Sequence, residues 1–161
     1  MDFSKIKRSE IIGIFAGIIM VLALIFLNWF SLEENPARAD GRGFICGPGE
    51  FECTGFDTFP ILRWLLIAAA VAPVILTYIV IRGNTLSWAP GEVTMVVGFT
   101  AFTLILFNGF IQKPGSGVAQ SGVSLELGYL IALLAAIGLS ASGIGRMLEE
   151  SDTMRKTPGT V

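Results

Sequence analysis

Hydrophobic positions in this chain form four long, nearly unbroken runs, Ile11–Phe30, Phe59–Ile81, Val93–Ile111 and Leu125–Gly145, separated by polar connections of unequal length. Each run holds about twenty residues, the length of helix that crosses the ~30 Å hydrocarbon layer of a bilayer. Arg63, four residues into the second run, is the only charge well inside a boundary. A helix on the surface of a soluble bundle carries charges on its outward face every turn or so. These runs do not, so the pattern predicts an all-α membrane domain over residues 1–145, an antiparallel bundle of four transmembrane helices. Residues 146–161 then form a polar cytoplasmic tail, disordered at its Thr157–Val161 end.

The connections add detail. Residues 31–58 make the longest loop, with six acidic residues against two arginines. Asn28-Trp29-Phe30 closes the first run where an interfacial aromatic belt would sit. Pro60 suits the first turn of the second helix, and Pro73, near its middle, predicts a kink. Gly83–Glu92 reads as a short turn, and Gln112–Ser124, rich in Gly and Ser, as a flexible loop.

Charge orients the bundle. Lys5, Lys7, Arg8, Arg82, Arg146, Arg155 and Lys156 lie on one side, and Arg38, Arg42, Arg63 and Lys113 on the other, although the first loop there is much the longest. Basic residues collect on the cytoplasmic side, so both termini are expected there, in the plasma membrane, with residues 31–58 outside. The net charge of −2 says little about partners; the Lys5–Arg8 cluster is too small to argue for nucleic acid and is explained by anchoring, so no nucleic-acid partner is expected. These residues, the apolar run and Ala37-Arg38-Ala39 also have the outline of a signal peptide. The run of about twenty residues exceeds the usual 7–15, which favours a retained span.

The composition of 53% hydrophobic and 15% charged residues narrows the chemistry. With no histidine, the commonest general base and metal ligand is missing. Two cysteines make no zinc set, and Gly41-Arg42-Gly43 alone is no phosphate loop. No cofactor, metal or catalytic residue is expected. Cys46 and Cys53 flank Pro48-Gly49, a turn between Phe44-Ile45 and Phe51, and so predict a disulfide-stapled extracytoplasmic loop with a short β-hairpin. The competing chemistry is a thiol-redox enzyme of the four-helix, quinone-reducing kind, but that needs Cys-x-x-Cys and a second pair. The spacing here is Cys-x6-Cys, and there is no second pair.

Polar residues at membrane depth form a second candidate set. Asn28 and Asn108 fall at the same outer depth on spans one and three, each able to hydrogen-bond another helix. With Arg63 and Glu126 they outline a polar intramembrane site open to the outside. Arg63 can instead snorkel outward, and Glu92 and Glu126 suit helix N-termini. Small residues supply packing faces: Gly13 and Gly17 on span one, and Gly128, Ala132, Ala136 and Ser140 every four positions on span four. Leu24–Phe30 and Leu104–Phe110 share four identities in seven, the outline of a duplicated hairpin, although apolar helices with interfacial anchors resemble one another by default.

With cytoplasmic termini, a long first outer loop holding Cys46 and Cys53, a short second one, and Trp29 at the end of span one, the chain resembles the claudin-type four-helix arrangement. It departs from that family at Phe44-Ile45, where the family has a tryptophan before its first cysteine, and in its shorter cysteine spacing. Gly122-Val123-Ser124-Leu125-Glu126-Leu127-Gly128-Tyr129-Leu130 is similar to small uncharacterised four-helix membrane proteins of bacteria, actinobacteria especially. The function expected from the residues is non-enzymatic. It is an interaction, scaffold or accessory subunit of a plasma-membrane assembly, embedded in the lipid bilayer, meeting a protein partner or a second copy through the outer loop or the small-residue helix faces. The alternative is a small transporter or channel component.

Overall fold

The structure is a computed structural model and describes residues 7–32, 52–83, 88–113 and 123–156. Its elements, in order, are α1 (Arg8–Phe26), β1 (Asn28–Leu32), β2 (Glu52–Thr54), α2 (Gly55–Thr58), α3 (Leu62–Ile81), α4 (Pro90–Leu106), a π-helical turn (Phe107–Ile111), β3 (Val123–Leu125) and α5 (Leu127–Lys156). Four helical stretches, Arg8–Phe26, Leu62–Ile81, Pro90–Ile111 and Leu127–Glu149, are long and apolar enough to cross a membrane. α1 and α4 run toward the small sheet, and α3 and α5 run away from it.

α5 packs along both α1 and α4; α1 also packs on α3, and α3 makes a smaller contact with α4. The interior is built from small and branched apolar side chains, with Met20, Ala23, Leu24, Leu66, Ala101, Ile105, Ala132, Ala136 and Leu139 all but inaccessible. Long apolar side chains point the other way: Ile12, Phe15, Phe26, Trp64, Phe99, Leu134 and Leu148 are exposed on the rim. A soluble protein rarely shows so much contiguous apolar surface, whereas lipid is an apolar solvent for it.

Where the backbones approach closely, the residue is small. A Cβ at Gly17 would lie 2.5 Å from the Ala70 carbonyl oxygen, and one at Gly98 2.5 Å from the Ser140 nitrogen. Gly13 faces Ser142 and Pro73, and Gly128 faces the Asn28 carbonyl and Leu27. The glycine and alanine faces of spans one and four are thus used inside this bundle, since dispersion attraction between closely packed backbones is what holds helices together in lipid.

The helix ends differ from the hydropathy boundaries. α1 stops at Phe26 instead of Phe30, because residues 28–32 are a strand whose Trp29 and Phe30 are buried under the sheet. α3 starts at Leu62 instead of Phe59. Residues 55–58 make their own turn of helix, capped by Thr54, whose Oγ1 accepts the Asp57 N–H at 3.2 Å. Pro60 therefore precedes α3 and does not occupy its first turn. Pro73 sits inside α3 with helix on both sides, and just past the Arg82 cap of α3 stands Gly83, whose φ of 78° is the left-handed conformation that glycine adopts without strain. α4 begins at Pro90, with Glu92 in its first turn. α5 starts at Leu127 and continues to Lys156, so helix covers most of the expected polar tail. Thr157–Val161 and the expected hairpin around Pro48-Gly49 lie outside the described residues.

The helices are joined at one end by a three-stranded sheet, where the sequence predicts no strands besides a short hairpin around Pro48-Gly49. β1 is central and antiparallel to both neighbours, in the order β2-β1-β3. Phe30 pairs with Cys53 and with Leu125, and Ser31 with Glu52 and with Ser124. β2 and β3 come from the two connections at this end, so β1 ties both to the helix it extends.

Candidate functional site

The sheet owes its attachment to a bulge. Asn28 pairs with Thr54 and Phe30 with Cys53, so two steps along β1 match one along β2 and Trp29 is the extra residue. A bulge of this kind bends a strand and re-aims its side chains. Here it turns both Trp29 and Phe30 toward the bundle, each 0% exposed. Trp29 Nε1 donates to the Ala23 carbonyl at 2.8 Å, one of the carbonyls that a helix end leaves without an intrahelical donor. Gly55 lies flat on the indole, since a Cβ there would come within 2.5 Å of the ring.

Around Trp29 the aromatic residues meet edge to face. Its ring centroid is 5.9 Å from that of Tyr129 and 6.4 Å from that of Phe59, and Phe30 is 5.8 Å from Phe59. Such pairs add about 0.5–1.5 kcal/mol each beyond area burial. Tyr129 extends the cluster into α4. Its hydroxyl donates to the Ile105 carbonyl at 3.1 Å, Phe110 packs edge-on at 6.1 Å, and Gly109 lies against the phenol face. That contact coincides with the π turn, in which Gln112 N–H reaches back five residues to Phe107 O at 2.8 Å. A π register releases carbonyls from the α pattern, and the side chains of Tyr129 and Asn108 supply donors to Ile105 and Leu104.

The opposite face of the sheet is polar. Glu52 and Ser124 are exposed, with Ser31 between them, while Cys53 and Val123 are buried on the inner face. Asn28 Nδ2 donates to the Glu52 carboxylate, and Ser31 Oγ to Glu126 Oε1 at 2.6 Å. The Glu126 N–H continues the ladder to the Trp29 carbonyl at 2.9 Å. Lys113 Nζ donates to the Val123 carbonyl at 3.2 Å, which fastens the end of the π turn to β3.

The four expected intramembrane polar residues are thus not brought together. Asn28 is on a strand, and Asn108 bonds the Leu104 carbonyl of its own helix at 2.8 Å; neither reaches another helix. The shared depth expected of them assumes a helix through Asn28, and α1 ends two residues before it. Arg63 turns toward the sheet end, its Nη1 3.3 Å from the Phe56 carbonyl and its guanidinium 4.6 Å from the Phe56 ring centroid. Glu126 stands just before α5 and is held by Ser31.

Cys53 lies on β2 at 2% exposure, and no described cysteine is free; Cys46 is outside the described residues. No group of three or more His, Cys, Asp or Glu side chains able to hold a metal occurs among the described residues.

One charged pair is not apparent from the sequence. Glu10 and Arg146, at the far end of α1 and α5, are buried with Arg146 Nη1 2.6 Å from Glu10 Oε1. In the sequence Arg146 reads only as one of the basic residues that follow the fourth run, and Glu10 is assigned no role. Their separations from Gly13 and from Ser142, residues that meet in the seam, are the one signal that pairs them.

The architecture is that of a small helical bundle with four membrane-length helices and a three-stranded sheet fastened across one end. No family model, curated protein or solved structure matches the chain.

Proposed function

We propose that the protein is a non-enzymatic multi-pass protein of the plasma membrane, a scaffold or accessory subunit that presents its sheet to a protein partner outside the cell membrane. The observation that carries this reading is the way the sheet is held. An aromatic cluster centred on Trp29 anchors its inner face, and its outer face displays Asn28, Ser31, Glu52 and Ser124 on a framework tied to three membrane-length helices. A surface ordered in advance loses less entropy on binding, and sites on rigid elements are more precise than sites on loops.

The basic residues orient it. Seven fall in the terminal segments and the α3–α4 connection and four in or beside the two connections that supply β2 and β3, which by the positive-inside rule turns the sheet outward. That side is oxidising, where disulfides persist; a Cys46–Cys53 bridge would hold residues 46–53 against β2. A transport role gains nothing from Asn28, Asn108 and Glu126, which bond to neighbouring groups at the sheet end or on their own helix.

The test is a photo-crosslinking residue placed at Ser124, and at the rim residue Phe15 as a control, in the full-length protein expressed in its native cells. A single protein adduct at Ser124, absent at Phe15 and lost with Glu52→Lys, is the expected result. A monomer without protein adducts at Ser124, or solute flux in proteoliposomes that Asn108→Leu abolishes, overturns the proposal.

A further inference from the structure

Arg63 is the one charge well inside the apolar runs, and its surroundings leave most of its bonding capacity unused. A guanidinium carries five N–H donors. Among the described residues only Nη1 makes a hydrogen bond, to the Phe56 carbonyl at 3.3 Å. Nε is buried and has no partner. No carboxylate among the described residues pairs with the group: at this end Glu52 is held by Asn28, Asp57 by Thr54 and Glu126 by Ser31. The buried Arg146 is the contrast, with the Glu10 carboxylate against it.

Two aromatic rings hold Arg63 in place. Its guanidinium carbon lies 4.6 Å from the Phe56 ring centroid and 5.5 Å from that of Trp64, and the two rings meet edge to face at 6.3 Å. Ring faces attract a cation but bring no counter-charge. Phe56 supplies both a ring and the accepting carbonyl, and it belongs to the turn that Thr54 caps and whose Gly55 lies on the Trp29 indole. The guanidinium is therefore positioned before any anion arrives. Beyond it the start of α3 is apolar, with Ile61, Trp64 and Leu65 exposed on the rim.

A partly buried cation in the first turn of a membrane-length helix, beside an exposed tryptophan, stands at the depth where headgroups meet acyl chains. A charge at that depth without a counter-ion marks a ligand. The anion that phospholipids carry there is a phosphodiester, and the planar fork of arginine binds phosphate oxygens in pairs through charge-assisted hydrogen bonds. We propose that Arg63 clasps the phosphate of a phospholipid in the leaflet on the sheet side, with the acyl chains lying along Ile61, Trp64 and Leu65. The inference takes from the proposed function only that the four helices lie in a bilayer, and it holds whether or not the sheet meets a protein partner.

Native mass spectrometry of the full-length protein, delipidated in detergent, measures the binding. Dioleoylphosphatidylglycerol is expected to bind about tenfold or more tightly than dioleoylglycerol, which has the same chains and no phosphate. Arg63→Gln should abolish that difference. Arg82→Gln, which removes the same charge from a guanidinium stacked on Tyr78 at the other end of α3, should preserve it. Excess inorganic phosphate should leave the lipid bound; its displacement would assign the site to the free anion and overturn the lipid. Equal binding of the two lipids by the parent protein, a difference that survives Arg63→Gln, or equal losses in the two variants each overturns the proposal. Where Arg63→Gln does not fold, Arg63→Lys decides: a loss of about threefold or more, as a point charge replaces the fork, supports the clasp, and parental affinity overturns it. Flotation of the parent protein with liposomes tests the membrane reading separately.

Discussion

Trp29 Nε1 donates to the Ala23 carbonyl at 2.8 Å, and this one bond both finishes α1 and fixes the sheet to it. The ring is fully buried against Phe59, Tyr129 and Gly55, so its removal leaves a cavity as well as an orphaned carbonyl. Trp29→Ala is expected to cost about 3–5 kcal/mol. Trp29→Phe keeps much of the volume and should cost less, about 1–3 kcal/mol, for the lost donor. Thermal unfolding in detergent, followed by size-exclusion chromatography, gives the order.

Tyr129→Phe removes one hydroxyl and leaves the buried Ile105 carbonyl without it. A loss of about 1–3 kcal/mol follows, with faster amide exchange confined to residues 107–112. Asn108→Leu is the contrast: the Leu104 carbonyl still accepts the Phe107 N–H, so the expected cost is below about 1 kcal/mol. Exchange mass spectrometry of both variants checks the difference, and equal effects would contradict the role given to Tyr129.

Two glycines on α5 separate close packing from helix propensity. A Cβ at Gly143 collides with the backbone of Met95 and Gly91, whereas one at Gly145 meets nothing closer than Ser9 Cβ at 3.6 Å. Gly143→Ala should destabilise by about 1–3 kcal/mol through overpacking. Gly145→Ala should be neutral or gain up to about 1 kcal/mol of helix propensity. Denaturation curves of the pair measure both signs.

The proposed bridge makes its own prediction. Alkylation under denaturing, non-reducing conditions should leave Cys46 and Cys53 unmodified, and reductant should open both. In the chain-entropy account, closing so short a ring is worth about 2.5 kcal/mol, and Cys53→Ser should lose about that much. Alkylation of both thiols without reductant would refute the bridge.

How far the residues spoke for themselves differed by element. The four helices were legible because each apolar run is longer than any strand and nearly free of charge. The packing role of Gly13, Gly17 and Gly128 was legible too, since a repeated small residue on an apolar helix has few other uses. Asn28 was misplaced because hydropathy does not distinguish an apolar stretch facing lipid from one folded under a sheet; Trp29 and Phe30 are apolar for the second reason. Val123–Leu125 passed for loop and helix start for the same cause, three residues being too few to show a period.

By itself the sequence determined the number of membrane-length helices, their approximate limits and the asymmetry of basic residues between the two ends. These are sums over neighbouring residues, and hydrophobic transfer is roughly additive along a chain. Only the tertiary structure decided where α1 stops, that β1 joins two distant connections, that Tyr129 meets a π turn, and that Glu10 finds Arg146. Each of these depends on a partner far away in sequence, and an unmet donor, carbonyl or charge carries no mark in the sequence of which distant group will satisfy it.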